Sequence, residues 1–281
     1  MKQGRWLFLL KLCLSLTLFT RGWLTWKWDS PIRGLIWKED WWSGIIERWT
    51  NSSWSEFAIQ SDGWITVLLT GIGIALMLLS LVPWLPGFRY LRWLLWPATF
   101  LLLLDSFAFW VGHNYELGSA LEHTLQIMTP LGLFFAGSRQ VSEMMWNRCI
   151  MIAAALTFCG HGLYAIGWHT VPLVYQTMTM KILRGSQETA LVFLKTVGWL
   201  DLVAALCLVP KVTRKWALFY MVLWGGATAL ARTISHFGIT QPRSGLDPWL
   251  AETLVRSSHW VLPFLVLGGL LNLGKFKFGN S

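Results

Sequence analysis

The sequence predicts an all-α, polytopic membrane protein with about eight transmembrane helices. Its 281 residues are 54% hydrophobic and only 13% charged, and the mean hydropathy is +0.49. A soluble domain carries about 25% charged residues, and a soluble chain of this length needs more polar surface than this composition supplies. Apolar runs long enough to cross a bilayer recur along the whole chain. Lipid is therefore the predicted solvent for most of the surface.

Eight apolar runs are predicted to cross the bilayer, because one crossing takes about 20 apolar residues. They cover residues 6–23, 64–82, 91–111, 117–135, 146–166, 190–209, 216–235 and 254–273. The fourth run is the most polar, since it contains Glu122, His123 and Gln126. Lys11 interrupts the first run and no small-residue cleavage site follows it, so this run is predicted to be a retained helix rather than a signal peptide.

Sequence motifs recur in the same order in the two halves of the chain. The segment TLFTRGWLTWKW at 17–28 aligns with TFCGHGLYAIGW at 157–168, and a Val-Pro pair closes both the second and the sixth run. Self-similarity of this kind indicates a repeat architecture. We predict a first four-helix repeat over residues 1–140, which contains a long Trp-rich interfacial segment at 27–63, and a second four-helix repeat over 141–281.

The even number of helices in each repeat predicts how the copies are related. Both copies cross the membrane in the same sense, so they form two tandem four-helix bundles related by a pseudo-twofold axis along the membrane normal. Lysine and arginine predominate in the connections on one side, and most acids lie on the other. The positive-inside rule then predicts cytoplasmic N- and C-termini, and the cell inner membrane as the location.

Repeated histidine and glutamate residues are the strongest functional signal in the sequence. Glu116 precedes His123 by seven residues, as Glu252 precedes His259, and seven residues are nearly two helical turns. Imidazole and carboxylate groups bind transition metals. The predicted metal ligands, which the repeat and the charge bias place near the outer membrane face, are His113, Glu116, His123, His236, Glu252 and His259. Arg256 follows Glu252 by four residues, a spacing that favours an ion pair.

His161 ends the fifth apolar run and is predicted to bind a cofactor on the same side of the membrane. The identity of the cofactor stays open among a transition metal, a haem and a quinone. The same histidines are also suited to proton relay, because imidazole titrates near neutral pH. Two further explanations remain: simple hydrogen bonding at the membrane interface, and inheritance of the pattern through duplication alone.

Three more ionisable residues lie inside apolar runs: Asp105, Asp201 and Arg232. A buried aspartate needs a partner or a proton. One hypothesis is a proton or substrate relay. The other is an inter-helix hydrogen bond or an Asp–Arg pair that fixes helix packing.

The second half resembles the DoxX-like family of small four-helix membrane proteins. The resemblance is carried by Gly-His-Gly at 160–162 and by Gly-Trp-Leu-Asp at 198–201, which is followed by LVAALCLVP. In the first half Ile74 takes the place of Asp201, so the acidic feature is absent there. The resemblance implies a four-helix fold for each copy and a link to membrane redox or thiol chemistry. It supplies no catalytic residue.

The sequence leaves open whether the protein is an enzyme. No nucleotide-binding loop, Ser-His-Asp arrangement or zinc-protease motif is present, and no pattern indicates nucleic-acid binding. The first hypothesis is a redox-linked membrane protein. The alternatives are a transporter or lipid- or solute-binding protein, and a structural or assembly subunit. The bilayer is the expected partner, and the aromatic segment at 27–63 offers a surface for partners in a membrane complex.

Overall fold

The computed structural model describes residues 2–136, 141–237 and 246–271. All regular secondary structure within these ranges is helical. Six helical segments there have the length and apolar composition needed to cross a membrane: Gly4–Trp28, Trp54–Trp84, Phe88–Gly112, Glu143–Ile166, Gln187–Cys207 and Arg214–His236. The chain is therefore an integral membrane protein, and its environment is a lipid bilayer.

Residues 2–136 form eight helices and two short 3₁₀ turns. The helices are α1 (Lys2–Trp28), α2 (Pro31–Ile36), α3 (Glu39–Thr50), α4 (Trp54–Leu79), α5 (Phe88–Leu91), α6 (Leu95–Gly112), α7 (Leu117–Leu121) and α8 (Thr124–Ala136). The 3₁₀ turns, Val82–Trp84 and Arg92–Leu94, lie in the connection between α4 and α6. The Trp-rich segment contains α2 and α3, and Trp49 of α3 is 82% exposed.

The described part of the second half has a similar order of long and broken helices. These are α9 (Glu143–Ile166), α10 (Leu173–Leu183), α11 (Gln187–Cys207), α12 (Arg214–His236), α13 (Trp249–Leu254) and α14 (Ser258–Leu270). A 3₁₀ turn, Val255–Ser257, joins α13 to α14. Residues 272 and 273 of the eighth predicted run lie outside the described residues.

Serine residues set the beginnings of three long helices. Ser53 and Glu56 form the capping box that their spacing predicts: the Ser53 hydroxyl accepts from the Glu56 amide, and the Glu56 carboxylate accepts from the Ser53 amide. Ser142 and Ser186 cap α9 and α11 in a simpler way, each accepting one backbone amide. Gly167 ends α9 in the left-handed conformation, with φ of 83°.

The fourth and eighth predicted crossings are broken helices rather than continuous ones. Glu122 and His123 form a turn between α7 and α8. The 3₁₀ turn Val255–Ser257 breaks the helix at the corresponding place before α14. Helices α8 and α14 have 13 residues each, which is about 20 Å against a hydrocarbon core of about 30 Å. Average hydropathy does not reveal such a break, because the turn residues are too few to change it.

Each half packs its first helix against the broken helix of the other half. Helix α1 contacts α13, the 3₁₀ turn and α14, while α9 contacts α7 and α8. Helices α8 and α14 also contact each other. The buried core is continuous across the halves, since Leu10 and Leu14 belong to the same cluster as Ile150 and Leu262.

Close glycine contacts join the first two long helices of each half. A Cβ atom at Gly73 of α4 would lie 2.7 Å from the Gly22 carbonyl oxygen of α1, and one at Gly162 of α9 would lie 2.9 Å from the Gly198 carbonyl oxygen of α11. Small residues at these points let the backbones approach closely, as is common between membrane helices.

We predict that Gly73→Val destabilises the protein by about 1–3 kcal/mol, because the new side chain must push α1 and α4 apart. Gly71→Val is the matched control on the same helix, since a Cβ atom there meets nothing within 4 Å. Thermal unfolding of the purified, detergent-solubilised variants measures the difference. Equal melting temperatures for the two variants would contradict the close packing of α1 on α4.

Candidate functional site

The histidine residues are grouped at the ends of helices. We call this region the histidine end: it is the end of the bundle at which α6, α9 and α12 finish and α8 and α14 begin. His113 and His123 flank α7, His161 lies in the last two turns of α9, and His169 follows α9. His236 is the last residue of α12, and His259 lies in the first turn of α14.

His161 connects the two halves at the histidine end. Its Nδ1 atom lies 3.0 Å from the Tyr175 hydroxyl of α10 and 3.5 Å from Oε2 of Glu122, which belongs to the first half. The His161 ring lies 5.3 Å from the His259 ring, centroid to centroid. Burial raises the pKa of the Tyr175 phenol, so this hydroxyl keeps its proton. The result is a buried cluster of hydrogen-bonding groups drawn from α9, α10, α14 and the α7–α8 turn.

The Glu252–Arg256 pair that the sequence predicts is present. Nη1 of Arg256 donates to the Glu252 carboxylate and also to the Glu252 carbonyl oxygen, at 2.9 Å. The Arg256 guanidinium thus supplies the counter-charge of the Glu252 carboxylate.

Arg232 of α12 is buried, with 7% of its surface exposed. Its Nε atom has no hydrogen-bond partner, but the same is true of Nε in Arg21 and Arg256, so it is the lack of an ion pair that separates Arg232 from them. Among the described residues no carboxylate pairs with its guanidinium group. Its Cζ atom lies 6.0 Å from the ring centroid of Tyr175. Arg232 is a buried positive charge without an ion pair in this part of the chain.

A cavity of about 220 Å³ lies between α9, α10, α11 and α12. Its polar lining at the histidine end consists of His161, Tyr175, Arg232, Arg256 and His259. The walls away from this end are mainly apolar and include Phe158, Met178, Phe193, Leu194, Val197 and Trp224. Asp201 lines the cavity further along α11 and accepts a hydrogen bond of 2.8 Å from the Tyr220 hydroxyl.

The first half fills the equivalent polar positions with side chains that bond each other. Arg21, which the repeat aligns with His161, pairs with Asp105 at 3.2 Å and donates to the Gln126 side-chain oxygen at 2.9 Å. Ser30 donates to the other Asp105 oxygen at 3.2 Å. Asp105 therefore forms an inter-helix Asp–Arg pair, one of the two roles expected of it, and its partner is Arg21 rather than Arg232.

The predicted metal ligands of the first half are not brought together. His113 is exposed, stacks on Phe109 with ring centroids 4.0 Å apart, and places Nδ1 2.9 Å from the Phe109 carbonyl oxygen. His123 is buried against the same phenyl ring, at 4.9 Å. Glu116 is the N-cap residue of α7. The two imidazoles therefore both pack against the Phe109 ring and are not arranged around a common metal position.

The second half also separates its predicted ligands. His236 stacks on Trp249, with ring centroids 3.5 Å apart and an interplanar angle of 9°, while His259 contacts His161. Glu252 is bound to Arg256. Within residues 2–136, 141–237 and 246–271, no group of three or more His, Cys, Asp or Glu residues could hold a metal ion. The predicted sets therefore do not fit a metal.

Comparison of the chain with known protein families, with curated proteins and with solved structures found no match. The DoxX-like resemblance accordingly stays a hypothesis.

Sequence patterns identified part of this site and missed the rest. His161, Glu252, His259 and Arg232 were singled out because each is an ionisable residue in or beside an apolar run. Tyr175 was missed, since it lies in a connection with no counterpart motif in the first half. The alignment of Arg21 with His161 could have indicated that both positions carry polar contacts between helices, because it places a cation where the other half has an imidazole.

We predict that Asp105→Asn destabilises the protein by about 3 kcal/mol or more, because it leaves the buried Arg21 guanidinium without a counter-charge. The matched control is Asp62→Asn, which removes an exposed acid from Arg33 while Asp29 still pairs with that guanidinium, so it costs about 1 kcal/mol or less. Thermal or denaturant unfolding in detergent measures both. A control that loses as much stability as Asp105→Asn would show that burial of the Arg21 pair is not what matters.

Proposed function

We propose that the protein binds a membrane-soluble, amphipathic small molecule in the cavity between α9, α10, α11 and α12. The observation that carries this proposal is an apolar cavity whose polar groups converge at one end, with Arg232 and the His161–Tyr175 pair among them. An apolar pocket with a few converging polar groups is the usual form of a small-molecule site.

The cavity walls support an orientation for the ligand. The apolar part would pack against Phe158, Phe193 and Trp224, and the head group would receive hydrogen bonds at the histidine end. Ile182 and Leu183 of α10 line the cavity and are 44% and 42% exposed. These exposed apolar residues support entry from the surrounding lipid rather than from water.

The chain is further proposed to contain eight crossings in two tandem repeats. In this arrangement α7 with α8, and α13 with α14, make the fourth and eighth crossings, each in two pieces. The reciprocal packing of each first helix on the broken helix of the other half supports a pseudo-twofold relation. The charge bias of the connections supports cytoplasmic termini, an outer position for the histidine end, and the cell inner membrane as the location.

A quinone, one of the cofactors considered under the redox hypothesis, is a molecule of the proposed kind. A quinone is an apolar-tailed molecule with a carbonyl head, and the protonated Tyr175 hydroxyl and the arginine N–H groups are suitable donors for such carbonyls. The DoxX-like resemblance, with its implied redox link, is consistent with a quinone. The metal form has no matching set of ligands in the described residues.

A transporter is the second candidate, and Asp201 is the observation that favours it. Asp201 is buried and lines the cavity away from the histidine end, so polar groups are present at two depths. A carrier needs such groups along its path. Uptake of a labelled amphiphile into liposomes that contain the protein separates carriage from binding alone.

We predict that Ala231→Phe abolishes binding of a decyl-substituted benzoquinone and of decanol, because the new ring occupies the cavity that Ala231 lines. Native mass spectrometry of the detergent-solubilised protein counts the bound molecules. Leu230→Phe is the control, since Leu230 is 55% exposed and does not line the cavity. Wild-type protein that binds neither probe, or Ala231→Phe that binds them unchanged, would refute the proposal.

A further inference from the structure

We infer that the natural ligand of this cavity carries an anionic head group, a carboxylate or a phosphate, which pairs with Arg232, and a single apolar chain. This inference rests on the proposed function and names the class of molecule. It is distinct from a neutral quinone, which would use the same cavity without needing a full positive charge beside it.

The first support is the unpaired charge of Arg232. Removing an ion from water costs several kcal/mol unless a partner is supplied. Two other buried or nearly buried guanidinium groups have such partners, since Arg21 pairs with Asp105 and Arg256 pairs with Glu252. Arg232 has none among the described residues, although it lines the cavity. A bound anion in the cavity would supply the missing counter-charge.

Neighbouring acids do not take this role. Glu252 forms its ion pair with Arg256, and Glu122 lies beside His161. Both carboxylates attract Arg232 electrostatically, but neither forms an ion pair with it. They reduce the cost of burying the charge and leave the Nε–H group of Arg232 without an acceptor among the described residues.

The first half of the chain provides an internal comparison. Asp105 lies eight residues before His113, and the residue eight before His236 is Thr228. Asp105 neutralises the buried arginine of its half, whereas Thr228 lines the cavity and has no charge. The second half therefore lacks an acid at the position where the first half has one, and a ligand anion would replace it.

The size and polarity of the cavity indicate what is attached to the anion. The distance along α12 from Arg232 to Trp224 is eight residues, or about 12 Å, and the walls over this length are mainly apolar. The volume of about 220 Å³ is below the usual range of about 300–1,000 Å³ for ligand pockets. A single chain of medium length fits this space, and a two-chain lipid does not. The Asp201 carboxyl at the far end disfavours the reverse orientation.

The test compares probes with one tail and different heads: decanoate, decyl phosphate and decanol, with inorganic phosphate as a probe without a tail. Binding to the intact protein in a non-ionic detergent is measured by native mass spectrometry over a range of probe concentrations. We expect decanoate and decyl phosphate to bind at least about tenfold more tightly than decanol, because a charge-assisted hydrogen bond adds to the same apolar contacts. Inorganic phosphate should bind far more weakly than decyl phosphate.

Arg232→Gln should remove the preference for the anionic probes and keep the binding of decanol. Arg33→Gln is the matched control, because Arg33 does not line the cavity and is paired with Asp29 and Asp62; it should keep the preference. Thr228→Asp is a second variant, which adds an acid four residues before Arg232 and should also reduce anion binding by competing for the guanidinium. This variant carries the test if Arg232→Gln does not fold.

The possible results separate the inference from the function it rests on. Equal affinity for decanoate and decanol, or an anion preference that survives in both Arg232→Gln and Thr228→Asp, would overturn the anionic head group and leave the cavity as a site for neutral molecules. Inorganic phosphate that binds as tightly as decyl phosphate would overturn the apolar chain. Binding of none of the probes would overturn the proposed function itself.

Discussion

Ionised side chains inside an apolar bundle need counter-charges, and this requirement organises the histidine end of the protein. Arg21 of α1 is held between Asp105 of α6 and Gln126 of α8. Arg256 is held by Glu252 one turn earlier in the chain. Because leaving either charge alone costs several kcal/mol, the Arg21–Asp105 pair fixes the faces by which α1 and α6 meet, and the Glu252–Arg256 pair holds the local geometry before α14. Arg232 has no such counter-charge within residues 2–136, 141–237 and 246–271, and it lines the cavity.

The broken helices serve the same requirement. The turn at Glu122 and His123 places a carboxylate at the end of the bundle, where it reaches His161 of the other half. In a continuous helix, Glu122 and His123 would follow the regular helical spacing, and the turn changes where they lie. The 3₁₀ turn before α14 breaks the helix at a comparable place in the second half. The two breaks thus bring groups from both halves into one polar cluster, next to an apolar cavity.

The sequence was sufficient for much of the fold but not for the site geometry. Hydropathy located the six long apolar helices of the described residues to within a few turns. It did not reveal the breaks in the fourth and eighth runs, because a few turn residues do not change an average over 20 positions. The repeated histidines predicted shared metal sites, but His113 stacks on Phe109 and His236 stacks on Trp249 instead. Spacing along a helix says which face a residue lies on and not which aromatic ring packs against it.

The pairing of Arg232 could not be predicted from the sequence either. Its position late in an apolar run marked it as an unusual residue, and pairing with an aspartate was one expectation. Which aspartate pairs with which arginine depends on the arrangement of the helices, and Asp105 is used by Arg21. The cavity beside Arg232 depends on how α10 packs on α11 and α12, which no local pattern encodes.

The most direct test of this account is a crystal structure of the protein grown in a lipidic mesophase with decanoate. The account predicts elongated density between α9, α10, α11 and α12, with its head within hydrogen-bonding distance of the Arg232 guanidinium and its tail along Phe158 and Trp224. A cavity filled by protein side chains, or an Arg232 group paired with a carboxylate of the protein itself, would contradict it.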